Sequence, residues 1–497
     1  MIFDNVRNWQ GKAEILAEQL KYQIEQLGLS VEPPTVRTIR LWRSRKILSQ
    51  PRGEKFGFRQ ILEGLATLVL LKKGWTLVAI VEVLSSWNEK ELEQQILAER
   101  SSEGNFSNSA LLKQKDNKNH NLAKDAAILL AQGILRQYDR VLTGREIVRQ
   151  DERLPPELHS AMCKLGRLYL EEGKHDDAAC VHDLLERSRY SFEDEKWNLE
   201  IFRGSEFDFG NVRLIDFDLR VPTPDCGEIA NSSGSFGEDN VVEHRLYSDL
   251  KKATERLGKR KQHLAYSALR EIIGRKSLIS ERELLDYLVE KNLTPLQETV
   301  REFFDYVPEA WLINGYALQC YHCGTLIRPN ADRLSYPEGY YCPIHQCNSK
   351  YPPQVGERLN PQKERLLIAK PQILAYWTAP AIDELAIFDE ATTYGLDAQL
   401  YPKSDQCDIS INDSAIGIDA KSYRSPVLLA LKLNRSIGGL IHYSRRIIAI
   451  TDELIEDCPG YISTVNSLLN QKSDAKSLKI MSVSSVIENI QEGNYAN

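Results

Sequence analysis

No apolar run in the chain approaches the length of about 18 residues that a membrane-spanning helix needs, so the sequence offers no such helix and no membrane partner. Met1 to Gln10 is polar and lacks the basic-then-apolar order of a secretory leader, so the expected compartment is the cytoplasm. Positive charge is also short overall. The 63 Lys and Arg face 70 Asp and Glu, a net charge of -7, which argues against a chain that coats nucleic acid along its whole surface. Local patches are not excluded, because phosphate affinity follows clustered charge rather than the sum. Nine cysteines make an odd number, and four crowd between 320 and 347, which points to metal rather than to a disulfide framework.

The 497 residues, 42% hydrophobic and 27% charged, suit a soluble globular chain of three or four domains. The expected class is multidomain α+β. Residues 1–100 read as a DNA-binding module, 101–120 as a linker, 121–310 as a mainly helical middle, 311–360 as a zinc knuckle and 361–490 as an α/β core.

Residues 13–27 carry Leu16, Leu20, Ile24 and Leu27 on one helical stripe. Pro33-Pro34 ends that helix, and Thr35 can cap a second, basic one. Residues 37–59 hold Arg37, Arg40, Arg43, Arg45, Lys46, Arg52, Lys55 and Arg59 against Glu54 alone. Three short motifs follow one another: Thr38-Ile39-Arg40-Leu41-Trp42, Phe58-Arg59 and Gly74-Trp75-Thr76-Leu77. Together they resemble the winged helix-turn-helix of MerR-type regulators. The resemblance implies that Arg40, Arg43 and Arg45 face double-stranded DNA and that Arg52 and Arg59 reach phosphates from the wing. No effector domain of the MerR kind follows, so the module is expected to dock DNA rather than to sense a ligand.

The stretch 101–120 is polar and low in complexity, as linkers are. The middle shows no readable chemistry. Cys163, Cys180 and Cys226 stand alone and read as small buried side chains. Residues 191–218 carry eight acids against three bases and read as a solvated face.

Cys320-x2-Cys323-x18-Cys342-x2-His345 has zinc-ribbon spacing, with Cys347 as a rival fourth ligand. Gly324 permits the tight turn after the first pair. A complete ligand set leaves no open position, so the expected Zn²⁺ is structural. Tyr316, Tyr321, Tyr336, Tyr340 and Tyr341 surround the cluster, as packing or as stacking platforms.

Near the end, Asp408-Ile-Ser-Ile precedes Asp419-Ala420-Lys421. In Ile416-Gly417-Ile418-Asp419-Ala420-Lys421 the apolar residues alternate, so Asp419 and Lys421 share one strand face. Asn412-Asp413-Ser414 reads as the hairpin turn between the two runs. A helix from Ala381 to Tyr394, a strand from Leu396 to Tyr401, a helix from Pro426 to Asn434 and a buried strand at Ile447–Ile450 complete the order. A second cluster of cations, Lys421, Arg424, Lys432, Arg435, Arg445 and Arg446, has no acid among it.

This arrangement is similar to the PD-(D/E)xK restriction-endonuclease-like core. Two carboxylates suit Mg²⁺ or Mn²⁺, and the lysine can orient water and stabilise developing charge. Glu384 stands where that core often adds an acid, and Asp405 rivals Asp408 as a ligand. Leu400-Tyr-Pro-Lys-Ser-Asp-Gln-Cys-Asp-Ile-Ser-Ile, Ile418-Asp-Ala-Lys-Ser-Tyr and Arg424-Ser-Pro resemble a nuclease family of bacterial defence islands. That family is encoded beside a prokaryotic PIWI protein of the Arg-Glu motif type and a helicase. The resemblance implies a metal-dependent DNA endonuclease with an antiphage or anti-plasmid role, and it allows a homodimer. Lys403-Ser404 departs from the Pro-Gly turn expected there. The alternative is a DNA-binding transcriptional regulator or adaptor with an inactive nuclease fold, which would not need Asp408, Asp419 and Lys421 together.

Overall fold

The computed structural model describes residues 3, 6–7, 9–29, 31, 33–50, 55–72, 80–81, 84, 87–93, 96, 108–142, 154–204, 206–232, 242–258, 261–470 and 474–495. Arg52, Gly74-Trp75-Thr76-Leu77 and residues 101–107 lie outside the described residues. The chain divides into two compact units, Met1–Asn117 and Lys118–Asn497. Among the described residues, no helix is long and apolar enough to cross a membrane.

The first unit is built on α1 (Ala13–Leu27), α2 (Val36–Ser44) and α3 (Phe58–Lys72). The α1 stripe is buried as its spacing requires, through Leu16, Leu20, Ile24 and Leu27. It packs with Ile39 and Trp42 of α2 and with Ile61, Leu62 and Leu65 of α3. Each such side chain contributes about 1.5–3 kcal/mol through burial. Thr35 caps α2 by accepting from the Thr38 N–H at 3.2 Å.

Helix α4 (Asn108–Leu142) begins inside the stretch read as a linker, and its residues from Lys118 onward open the second unit. Its polar first turns are rich in good helix formers and run into the buried Ala123, Ala126, Ala127 and Leu130, so composition alone misjudged them. Helices α5 (Pro156–Glu171), α6 (Val181–Arg187), α7 (Pro224–Asn231), α8 (Val242–Glu255) and α9 (Gln262–Arg275) follow. Cys226 is buried as expected, but Cys163 and Cys180 are exposed. Cys163 lies on the outer face of α5, and Cys180 stands at the residue before α6, where its side chain makes no capping hydrogen bond.

Strand β1 (Leu278–Ser280) leads into α10 (Glu281–Glu290) and α11 (Gln297–Arg301), then β2 (Phe304–Tyr306). Strands β3 (Ala317–Cys320), β4 (Arg328–Pro329) and β5 (Tyr340–Tyr341), helix α12 (His345–Lys350) and β6 (Val355–Leu359) form the cysteine-bearing segment. Strand β7 (Leu366–Ala369) lies between β1 and β2.

The C-terminal core starts with α13 (Ala379–Thr393), followed by β8 (Ala398–Leu400), β9 (Ile409–Ile411) and β10 (Ile416–Lys421) as an antiparallel meander. Asn412 and Asp413 adopt φ of 54° at the β9–β10 turn, a conformation these two residue types tolerate. Helix α14 (Pro426–Arg435) then crosses over so that β11 (Arg445–Ile450) pairs parallel to β10. After α15 (Asp452–Asp457) and α16 (Tyr461–Leu468), β12 (Leu478–Ser482) pairs parallel to β11, and α17 (Val483–Gln491) closes the unit. The sheet order is β12-β11-β10-β9-β8. Ile416, Ile418, Ile447 and Ala449 pack toward α13, whereas Ile448, Ile450 and Ile480 pack toward α14 and α16. The meander and the parallel crossover bring the start of β9 beside the end of β10.

Candidate functional site

Asp408 immediately precedes β9, and Asp419 and Lys421 lie on the last turnings of β10. The Asp408 N–H donates to Asp419 Oδ1 at 3.1 Å. Asp408 Oδ2 accepts from the Ala420 N–H at 2.7 Å. Lys421 Nζ stands 3.8 Å from Asp408 Oδ2 and 3.5 Å from Asp419 Oδ2. The alternation inferred from sequence therefore brings these three residues together.

Burial pushes the Asp408 carboxyl well above the usual carboxylate range; Lys421 pulls it down, and Glu384, Asp419 and Asp405 raise it further. Burial opposes charge on Lys421, but Asp419 and Asp408 outweigh that and hold its pKa above the ordinary value. Glu384, on α13, is buried and lifted to about 7, chiefly by loss of solvent, with Arg270 and a hydrogen bond from Tyr401 acting the other way. Tyr401 donates that bond to Glu384 Oε2 at 2.5 Å. Burial also raises Asp405, against the pull of Arg270. A carboxyl must lose its proton before it can ligate a divalent cation, so groups raised in this way would make any metal binding here depend on pH.

Asp405 reaches the site through a left-handed stretch. Tyr401, Lys403, Ser404 and Asp405 have φ of 50°, 52°, 62° and 75°. For side chains with a Cβ this costs about 1–2 kcal/mol per residue, which is why a glycine is natural there. The turn is held from α8 and α9. Tyr247 donates to Ser404 O at 3.3 Å, His263 Nδ1 lies 2.7 Å from Ser404 Oγ, and Ser267 donates to Tyr401 O at 2.9 Å. Tyr266 donates to Asp405 Oδ2 at 2.8 Å. None of these helix residues stood out in the sequence. Their signal is a polar series at positions 263, 266, 267 and 270, one face of a helix that otherwise reads as ordinary.

The second site is the cysteine cluster. The sulfurs of Cys320, Cys323, Cys342 and Cys347 lie within 4.8 Å of one another. Cys320 and Cys347 are 3.7 Å apart, and Cys323 and Cys342 are 3.5 Å apart. Tetrahedral zinc with bonds of about 2.3 Å sets its sulfurs about 3.8 Å apart, so the four thiols fit that ion. Gly324 has φ of 68°, and a Cβ there would come within 2.2 Å of Arg275 O, so the turn demands glycine.

His345 is not part of the cluster. Two positions apart on a helix are turned by about 200°, so α12 can aim only one of His345 and Cys347 at the sulfurs. Its Nε2 instead meets Arg424 Nη2 at 2.8 Å and lies 3.9 Å from Glu453. The ring borders a cavity of about 110 Å³ shared with Arg213, Thr223 and Thr451. Of the surrounding tyrosines, Tyr336 and Tyr341 pack against each other with ring centroids 5.1 Å apart.

In the first unit Arg40, Arg43 and Arg45 are exposed on or just after α2. Arg40 pairs with Glu14 at 2.8 Å, and Arg43 lies over the Phe56 ring at 5.9 Å. Arg59 is turned inward. Its Nε donates to the buried Glu63 at 2.8 Å, and its Nη2 donates to Leu84 O and Trp87 O at 3.2 and 2.8 Å. It braces the fold instead of offering a free contact to phosphate. The cations of 421–446 are engaged as well: Lys432 and Arg435 with Glu228, and Arg446 with Tyr443 O and Ser477.

Residues 381–495 match the family model described as "REase associating with pPIWI_RE". The match supports a restriction-endonuclease-like domain associated with pPIWI_RE. No curated protein and no solved structure matches the chain.

Proposed function

We propose that the C-terminal domain is a divalent-metal-dependent endodeoxyribonuclease, hydrolysing phosphodiester bonds beside a prokaryotic PIWI-type protein and a helicase in defence against phages or plasmids. The observation that carries this reading is the meeting of Asp408, Asp419 and Lys421 on adjoining strands inside the family-matched segment. The carboxylates of Asp408 and Asp419 are hard oxygen donors, which suit Mg²⁺ or Mn²⁺. An ion held by them would supply Lewis acidity to a phosphoryl oxygen and acidify a bound water.

The chain's own groups do the rest. Lys421 presents an ammonium beside both carboxylates, where it can orient the attacking water and offset the charge that develops on the phosphoryl group. Glu384 and Asp405 add acidic groups at the inner side of the same site. In the same reading Cys320, Cys323, Cys342 and Cys347 hold one structural Zn²⁺, whose filled coordination leaves no place for substrate. The first unit docks double-stranded DNA through Arg40, Arg43 and Arg45, with Arg52, outside the described residues, as the further phosphate contact the sequence suggests.

The test is conversion of supercoiled plasmid to nicked or linear forms by the purified full-length protein, with and without Mg²⁺ or Mn²⁺. Metal-dependent cleavage that disappears in Asp419→Ala supports the reading. Equal cleavage by Asp419→Ala removes it.

A further inference from the structure

Helix α9 lies outside the family-matched segment, yet one of its faces is aimed at the carboxylates of the C-terminal core. His263 and Ser267 hold the backbone turn at Ser404 and Tyr401, and Tyr266 holds Asp405. One turn further on, Arg270 Nη2 stands 3.8 Å from Glu384 Oε2. These residues fall at i, i+3, i+4 and i+7, so a single helical stripe addresses the whole inner side of the site. Close approach continues to the next turn, where a Cβ on Gly274 would sit 2.8 Å from Ala381 of α13.

Arg270 is an unusual residue for a structural role. It is 4% exposed. Its guanidinium lies against two rings, 4.6 Å from the Tyr401 centroid and 5.1 Å from that of Trp377. Among the described residues its Nε and Nη1 make no hydrogen bond. Hydrogen bonding to neighbours therefore does not explain why a guanidinium is buried here. The nearby negative charge does. Glu384 and Asp405 act on Arg270 directly, Asp408 and Asp419 lie beside Lys421 in the same cluster, and Glu243 and Lys432 act on it from its edge.

We infer that α9 is a working part of the catalytic centre, in which Arg270 is a positioning residue that holds Glu384 inward and offsets the charge gathered there, while Tyr266 fixes Asp405. The inference rests on the nuclease reading, and it adds that the segment 381–495 does not complete its own site. The ring faces and the carboxylate select a planar guanidinium, so lysine should substitute only in part.

The experiment uses full-length protein and three variants, Arg270→Met, Arg270→Lys and Tyr266→Phe. Mn²⁺ binding is read by calorimetry, plasmid cleavage by kcat and KM, and folding by cooperative thermal unfolding. Partners that orient metal ligands cost about ten- to a hundredfold in metal affinity when removed, so Arg270→Met should weaken Mn²⁺ binding by about tenfold or more. Its kcat should fall while KM for DNA stays put, because Arg270 does not reach the surface. Arg270→Lys should lie between Arg270→Met and the parent. Tyr266→Phe, which removes one hydroxyl and nothing else, should lower kcat with unchanged unfolding. If Arg270→Met fails to fold, Tyr266→Phe decides. A parent that binds Mn²⁺ and cleaves, with variants that match it or bind the ion more tightly, overturns the inference and spares the nuclease reading. A parent that neither binds nor cleaves overturns both.

Discussion

Asp408 and Asp419 are tied together through the backbone as well as by their shared neighbour Lys421. The Asp408 N–H donates to the Asp419 carboxylate, and the Asp408 carboxylate accepts from the N–H next to Asp419. Each strand thus fixes the acid of the other. Two acidic side chains are held near each other, with the lysine ammonium beside both of them. Such an arrangement is costly for folding and useful for binding a divalent ion, which is the trade expected at a working site.

The first consequence is a separation of activity from stability. Asp408→Asn keeps an acceptor for the Ala420 N–H and leaves no carboxyl group to ionise in a buried position. Without added divalent metal, the variant should unfold at the same temperature as the parent or higher, while its cleavage falls below detection. Asp419→Ala and Lys421→Ala should also lose cleavage. Plasmid assays beside thermal melts check this, and a melt lowered in parallel with activity in Asp408→Asn would count against the site.

The second concerns the cysteines. Elemental analysis of freshly purified protein should find one zinc per chain. Cys347→Ser should lose it, and His345→Ala should keep it, because the His345 ring meets Arg424 instead of the sulfurs. Loss of zinc should loosen the segment around β3 to β6, since a structural ion contributes folding free energy directly. Zinc lost from His345→Ala but retained in Cys347→Ser would reverse the assignment.

What could be read from the chain and what could not follow from the range of the interactions. The β9–β10 hairpin was legible because alternation, the turn-forming residues Asn412-Asp413-Ser414 and strand length all act locally. The choice between His345 and Cys347 was not, because it depends on where α12 starts and which way it faces. The start of α4 was missed for a related reason, as a helix anchored further along, at Ala123 and Ala126, can begin within a polar stretch. Arg270 and Tyr266 were invisible because their partners, Glu384 and Asp405, are more than a hundred residues away, and a polar stripe on a helix ordinarily meets water. Lys403 and Ser404 did carry a local signal, a missing glycine at a turn, and that is where the backbone is left-handed.

A third expectation concerns pH. Asp225 is buried in the first turn of α7, facing the segment that leads into α14, where it accepts from the backbone N–H groups of Arg424 and Ser425 at 3.1 and 3.4 Å. Burial outweighs those donors and raises its pKa to about 6. The folded state therefore holds a proton that the unfolded chain, with an aspartate near 4, has released. Stability from this group is complete below about pH 4 and is lost as pH rises to about 6, by roughly 2–3 kcal/mol. Urea unfolding at several pH values should show this fall in the parent and a flatter profile in Asp225→Asn. Parallel profiles in the two proteins would refute the assignment.

The last expectation separates the arginines of the first unit by what each one touches. Arg40 and Arg43 are exposed on α2, whereas Arg59 is committed to Glu63 and to two backbone carbonyls. In full-length Asp419→Ala protein, where cleavage cannot interfere, binding to duplex DNA should weaken on Arg40→Ala and on Arg43→Ala with no change in unfolding. The logarithm of affinity should fall with the logarithm of salt concentration by about 0.9 per phosphate neutralised, and each of these substitutions should lower that slope by roughly one phosphate's worth. Arg59→Ala should behave differently. It leaves the buried Glu63 without its ion-pair partner, which costs roughly 3 kcal/mol, so the first unit should melt early and lose DNA affinity only as it unfolds. If Arg59→Ala lowers the salt slope in a protein that melts normally, the arginine is reaching phosphate after all. If neither Arg40→Ala nor Arg43→Ala alters binding at low salt, the basic face of α2 serves a protein partner, and the choice of target passes to that partner.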